Sequence, residues 1–214
     1  MGLTEKFVRQ CRKPEGFFGR FVGRAMNKGH AKVRRWGLGH VSGEPCAIIL
    51  DVGCGGGAAL RDMASIFPGA RLHGVDYSHD MVSLARKVNK SLIDKGRLEI
   101  SHGSVSALPF PDISFDLVTA FEACYFWPDL VQDLREIRRV LRPGGTLLLV
   151  NEVYENDMFR DRNKRWAAWA DMQIHSPAGY RDLLTAAGYG DIEIHEVIAR
   201  NWVAAVGRKL ESPS

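Results

Sequence analysis

Ala47-Ile48-Ile49-Leu50-Asp51-Val52-Gly53-Cys54-Gly55-Gly56-Gly57 is the stretch that decides the fold. A short apolar run that ends in a cluster of glycines reads as a strand buried on both faces, followed by a tight turn. From there onward, strand and helix signals alternate. Ala58 to Phe67 is helical and stops before Pro68-Gly69. Arg71 to Asp76 is a second strand. Ser78 caps a helix that is expected to run to about Lys95, with Met81, Leu84, Ala85 and Val88 at helical spacing. Leu98 to His102 and Phe115 to Phe121 are strands three and four. Asp129 to Leu141 is a helix ended by Pro143-Gly144-Gly145, and Thr146 to Val153 is strand five. Ser176-Pro177 opens a helix to about Ala187, stopped by Gly188. Ile192 to Val197 and Trp202 to Arg208 then follow with too little chain between them for a helix, so they are expected to pair antiparallel. The reading is α/β: a doubly wound, mostly parallel seven-stranded sheet with a terminal antiparallel hairpin.

Composition sets the outer limits. The chain has 214 residues, 45% hydrophobic and 25% charged, the balance of a globular domain rather than a disordered chain. Apolar runs such as Ala47 to Leu50 and Thr146 to Val150 are far too short to span a bilayer. The N-terminus has no continuous apolar core and no small-residue cleavage site, so no secretory signal is expected. Cys11, Cys46, Cys54 and Cys124 show no CxxC spacing, which argues against a zinc site or a redox pair and for a reduced, cytoplasmic compartment. No metal is expected.

Charge is uneven. Residues 1–45 hold ten of the 29 Lys and Arg but only three of the 25 Asp and Glu. That leaves +7 on this segment and −3 on the remainder. Within it, Phe17, Phe18, Phe21, Val22, Ala25 and Met26 form one apolar stripe, with Arg20, Arg24 and Lys28 on another face: a basic amphipathic helix. A lid over a bound ligand, a membrane-surface contact and a nucleic-acid contact are the three readings of this helix, and the lid is favoured. No RNA-binding module accompanies the charge, so nucleic acid is disfavoured. Residues 1–45 are therefore read as a helical lid segment, and 46–210 as the main domain. The main domain carries a helical insertion at about 155–175, where Phe159 to Gln173 bears Trp166 and Trp169.

In an open parallel sheet, ligands bind beyond the carboxyl ends of the strands. Gly53-x-Gly55-x-x-Ala58 is compatible with a nicotinamide-dinucleotide fingerprint. Asp51 argues against it, because a carboxylate beside that loop repels a pyrophosphate and welcomes an ammonium group. A single aspartate at a strand end is more often a turn former. Two of them, Asp51 and Asp76, placed around one glycine loop favour a site.

These residues resemble the class I S-adenosylmethionine-dependent methyltransferase family. Ile49-Leu-Asp51-Val-Gly53-Cys-Gly55-Gly-Gly57 is similar to its first motif. Asp76, in Gly74-Val-Asp76-Tyr-Ser, matches the acid that holds both ribose hydroxyls, since one carboxylate accepts from a vicinal diol. Gly103-Ser-Val-Ser-Ala-Leu-Pro109-Phe110 is similar to the loop flanking the adenine, with Ser104 where the family usually has aspartate. Phe115-Asp116-Leu-Val and Leu141-Arg-Pro143-Gly-Gly145 match the fourth strand and the turn before the fifth. The resemblance implies a Rossmann-like fold and S-adenosylmethionine as cofactor, with S-adenosylhomocysteine as product. It implies cofactor contacts at Asp51, Gly53, Cys54, Gly55, Asp76, Tyr77, Met81, Ser104, Val105, Phe121 and Glu122.

Candidates for the acceptor side are Glu122, Cys124, Tyr125 and Trp127, with Glu122 and Tyr125 taken as catalytic; Glu152 and His30 are further possible bases. Glu122-Ala-Cys-Tyr125 contains no proline, unlike the motif of amino-directed nucleic-acid enzymes. Cys124 follows alanine, which argues against a cytosine-type cysteine nucleophile. The leading expectation is a methyltransferase acting on a small molecule. The alternatives are a non-catalytic S-adenosylmethionine-binding protein, an RNA-directed methyltransferase and an NAD-dependent oxidoreductase. The acceptor and the oligomeric state are left open.

Overall fold

The computed structural model describes residues 29–41 and 46–211. The amphipathic helix expected over 17–28, and Cys11, lie outside these residues. In chain order the elements are α1 (Ala31–Leu38), β1 (Ile48–Val52), α2 (Ala58–Ile66), β2 (Arg71–Asp76), α3 (His79–Val88) and α4 (Lys90–Asp94). They continue with β3 (Leu98–His102), β4 (Phe115–Phe121), α5 (Leu130–Val140), β5 (Leu141–Asn151), α6 (Arg160–Ala170), α7 (Pro177–Ala186), β6 (Gly190–Val197) and β7 (Trp202–Arg208). The seven strands form one sheet in the order β3-β2-β1-β4-β5-β7-β6. β1 pairs parallel with β2 and β4, β2 with β3, and β4 with β5. β7 is antiparallel to β5 and to β6. This is the doubly wound, mostly parallel sheet with the terminal hairpin that the strand and helix signals predict.

The apolar runs bury both faces. In β1, Leu50 and Val52 point to a core shared with Leu134 and Ile137 of α5 and Tyr180 and Leu184 of α7. Ile49 points to the opposite core, with Leu60 and Met63 of α2, Val82 of α3 and Val33 and Leu38 of α1. That alternation over a sheet covered on both sides is why these strands are nearly continuous in apolar residues. α1 lies against β5: a Cβ at Gly37 would stand 2.4 Å from Val150 Cγ2. Buried Arg34 of α1 also pairs with Asp62 of α2 through its Nε at 3.2 Å.

Some boundaries differ from the sequence expectation. The helix opened by Ser78 breaks at Asn89 instead of running on to Lys95, because the Asn89 amide donates to Ala85 O at 2.9 Å and to Gly57 O at 3.0 Å. The side chain ties the end of α3 to the glycine turn. The fifth strand starts directly at Leu141, since Lys209 and Gly144–Gly145 exchange backbone bonds that hold the turn flat against the C-terminal tail. It also ends at Asn151, short of Val153.

At the last turn of α5, Arg139 donates to the carbonyls of Leu108 and Phe110, while Glu136 accepts from the Leu108 amide at 2.8 Å. These bonds fix the loop after β3. No helix among the described residues is long and apolar enough to cross a membrane.

Candidate functional site

A cavity of about 680 Å³ opens at the carboxyl ends of β1, β2, β3 and β4. It lies where the strand order reverses, on either side of β1. The turn after β1 forms its floor. Gly53 sits at φ +72°, and a Cβ there would come within 2.7 Å of Ala123 Cβ. Only glycine fits that combination of left-handed backbone and close approach. Asp51, Gly53, Cys54, Gly55, Asp76, Tyr77, Met81, Ser104, Val105, Phe121 and Glu122 all line the cavity. Trp127 lines it too. Tyr125 does not: it is buried, and its hydroxyl donates to Glu122 Oε2 at 2.7 Å. None of residues 155–175 lines the cavity, so the helical insertion stands apart from it.

The carboxylates define the electrostatics. Asp51 is 1% exposed and accepts from Thr119 Oγ1 at 2.8 Å. Burial pushes its carboxyl up to about 7 against the pull of that hydroxyl. Burial also raises Asp76, opposed by the amides of Ser78 and Gly55, which donate to its two oxygens at 2.8 Å each. Glu122 follows β4 with φ +55°, a left-handed conformation that costs a non-glycine residue about 1–3 kcal/mol and aims its side chain inward. Burial lifts it to about 7, opposed by the Tyr125 hydroxyl and by the Glu152 amide, which donates to Oε1 at 2.7 Å. Among the described residues, Asp51, Asp76 and Glu122 have no ion-pair partner.

The remaining polar groups are quieter. Ser104 Oγ accepts from the Ser106 amide at 3.2 Å and so is partly engaged in its own turn. Burial and the nearby aspartates hold the Cys54 thiol protonated. Burial pushes Cys124 up to about 11, and Asn151 donates to its sulfur, so neither thiol is a nucleophile.

Arg34, Ala123, Phe126 and Pro128 also line the cavity and were not among the residues expected from sequence. Arg34 is one of many basic residues in a segment without a motif. No signal in the chain singles it out.

Residues 50–149 match a family described as methyltransferase domain. A sterol 24-C-methyltransferase of Gibberella zeae is 34% identical over 155 residues, covering 69% of this chain and 40% of that protein. A solved methyltransferase from Haloferax volcanii, in complex with the Trm112 methyltransferase activator, superposes with a TM-score of 0.77. It is 26% identical, and the match covers 96% of this chain and 98% of that one. The chain belongs to the class I S-adenosylmethionine-dependent methyltransferase family. A demethylmenaquinone methyltransferase of Listeria welshimeri is 39% identical over 109 residues, half of this chain and 46% of that protein. The chain thus spans less than half the length of these two curated relatives. The methyltransferase domain match ends inside β5. The cavity, its glycine turn and its three buried carboxylates all fall within residues 50–149 except for the groups contributed by α1.

Proposed function

We propose that this methyltransferase binds S-adenosylmethionine in the cavity and moves its methyl group to a small, largely apolar acceptor. The observation that carries the reading is the set of buried carboxylates that make no ion pair among the described residues, Asp51 foremost, at a glycine turn. A ligand bearing a sulfonium and an ammonium group supplies the missing positive charge; a pyrophosphate does the reverse. The fit extends around the site. Asp76 ends β2 with lone pairs left on both oxygens for a ribose diol. Ser104 and Val105 stand on the loop suited to flank an adenine, beside Met81 and Tyr77. Gly53, Cys54 and Gly55 let the methionine portion approach the backbone, next to Phe121.

When bound, S-adenosylmethionine supplies a methyl group already activated by the sulfonium charge. The chain's own residues then supply alignment and dryness. Phe121, Phe126, Trp127 and Pro128 wall the acceptor end with apolar surface. Sterol and demethylmenaquinone, the acceptors in the relatives' names, fit such walls. Glu122 faces the transferring group, and Tyr125 acts through it by fixing its carboxylate. Residues 1–45 are read as a lid segment on the domain of residues 46–210, since α1 already brings His30 and Arg34 to the cavity wall. Membrane-surface contact by the basic N-terminal segment would suit delivery of an apolar acceptor. A cytoplasmic setting agrees with Cys54 and Cys124, whose buried thiols form no disulfide.

The test is transfer of labelled methyl from S-adenosylmethionine into a metabolite extract by the wild-type chain and by Asp76→Ala. Label in an extractable small molecule with the wild type, and little with the variant, is expected. Cofactor binding without any transfer would make the chain a binding protein instead.

A further inference from the structure

His30 precedes α1 and lines the cavity. Its ring makes no capping hydrogen bond to its own helix. Its Nε2 stands 3.7 Å from Glu152 Oε2. Glu152 is held in turn: Trp202 Nε1 donates to its other oxygen at 3.0 Å. Its backbone amide reaches Glu122 Oε1 at 2.7 Å. One ring nitrogen of His30 and one carboxylate oxygen each of Glu122 and Glu152 lie within 4.8 Å of one another. Three separate parts of the chain therefore converge here: the start of α1, the residue after β4 and the residue after β5. His30 brings to this cluster an imidazole that lines the cavity and can move a proton.

We propose that His30 accepts the proton that the acceptor loses during methyl transfer, with Glu152 as its positioning residue. The acceptor then carries hydrogen on the atom that is methylated, a hydroxyl or an acidic carbon, and is neither a thioether nor a tertiary amine. This rests on the methyltransferase reading above. In the step, the lone pair of a hydroxyl oxygen, or the pair released when the acidic C–H bond breaks, forms the new bond to the methyl carbon as the carbon–sulfur bond breaks, with that bond's electron pair left on sulfur. The acceptor's proton goes to the lone pair of the neutral His30 ring. The imidazolium is stabilised by the Glu152 carboxylate and passes the proton to water once product leaves. Burial holds the ring below its ordinary value, with Arg34 adding to this and Glu152 opposing it, so His30 is neutral near pH 7 as a base must be. Glu122 faces the same ring, and Arg162 faces Glu152 from α6.

The experiment uses the full chain with isotope-labelled histidine. Calorimetry with S-adenosylhomocysteine first separates the two readings: a wild type that does not bind it overturns the parent reading, not only this one. His30→Gln and Glu152→Gln are expected to keep that affinity within about threefold. In the magnetic resonance titration, the His30 ring is expected to change charge below pH 6.5, and lower still in Glu152→Gln, where the carboxylate that raises it is gone. In labelled transfer to extract at saturating S-adenosylmethionine, His30→Gln is expected to lose roughly 100- to 10,000-fold in rate. A ring charged at pH 8, a titration unmoved by Glu152→Gln, or an unchanged transfer rate in His30→Gln overturns the proposal. The ring titration decides by itself if the extract takes up no label, and Glu152→Gln carries it if His30→Gln fails to fold.

Discussion

Asp51→Asn separates stability from function at one atom. In the free protein the Asp51 carboxyl is raised from 3.8 to about 7, chiefly by burial. An acid whose folded value lies above its unfolded one binds its proton more tightly when folded, so its ionisation opposes folding. That penalty is absent below the unfolded value, grows as pH rises from about 4, and is complete above about pH 7. At 1.36 kcal/mol per unit, the three-unit shift sets an upper bound of about 4 kcal/mol. Roughly 2–3 kcal/mol of that develops between about pH 5 and pH 8.5. Asparagine keeps an oxygen for the Thr119 hydroxyl but has no charge to lose. Its second amide hydrogen is buried, which costs a pH-independent increment, so the readout is the slope rather than the absolute value. Urea unfolding of wild type and variant at the two pH values is the assay. The variant's stability relative to wild type is expected to rise by 2–3 kcal/mol from the lower pH to the higher, while its affinity for S-adenosylmethionine falls. Glu122 titrates alike in both proteins and cancels. Equal stability differences at both pH values would refute the electrostatic account of the site.

Asp76→Ala is expected to weaken S-adenosylmethionine binding by roughly 1–3 kcal/mol through lost hydrogen bonds, measured by calorimetry. Gly53→Ala meets both the left-handed backbone and Ala123, and is expected to lower stability by about 1–3 kcal/mol in urea unfolding. Gly55→Ala, with open space around its Cβ, should lose less. Tyr125→Phe removes a hydrogen bond that holds the Glu122 carboxyl down, so Glu122 ionises at higher pH. The pH at which S-adenosylmethionine affinity reaches its plateau, followed by calorimetry across pH 6 to 9, is expected to move upward with it.

Much of the fold was legible because the strands are covered on both sides and read as apolar runs between glycine and proline stops. Arg71–Asp76, Leu98–His102, Phe115–Phe121 and Trp202–Arg208 are the strands expected from those runs. Ser78, Asp129 and Ser176 cap the helices they announce. The break at Asn89 was not legible, because its cause is a bond to Gly57, thirty-two residues away. The cavity floor was legible for a related reason: glycine and aspartate at one turn leave a local mark. Arg34, Phe126 and Pro128 leave none, since their place in the wall depends on how α1 and the segment after β4 pack. Tyr125 shows the limit from the other side. An aromatic after β4 suggests a pocket wall, whereas its hydroxyl is taken by Glu122, three residues earlier.

The most direct measurement is calorimetric titration of the full chain with S-adenosylmethionine, S-adenosylhomocysteine and NAD in parallel. Micromolar binding of the first two and none of NAD is the result that the buried carboxylates at Asp51, Asp76 and Glu122 predict. Binding of NAD alone would mean that Asp51 tolerates a pyrophosphate beside it, and the assignment of the cavity would be contradicted at its base.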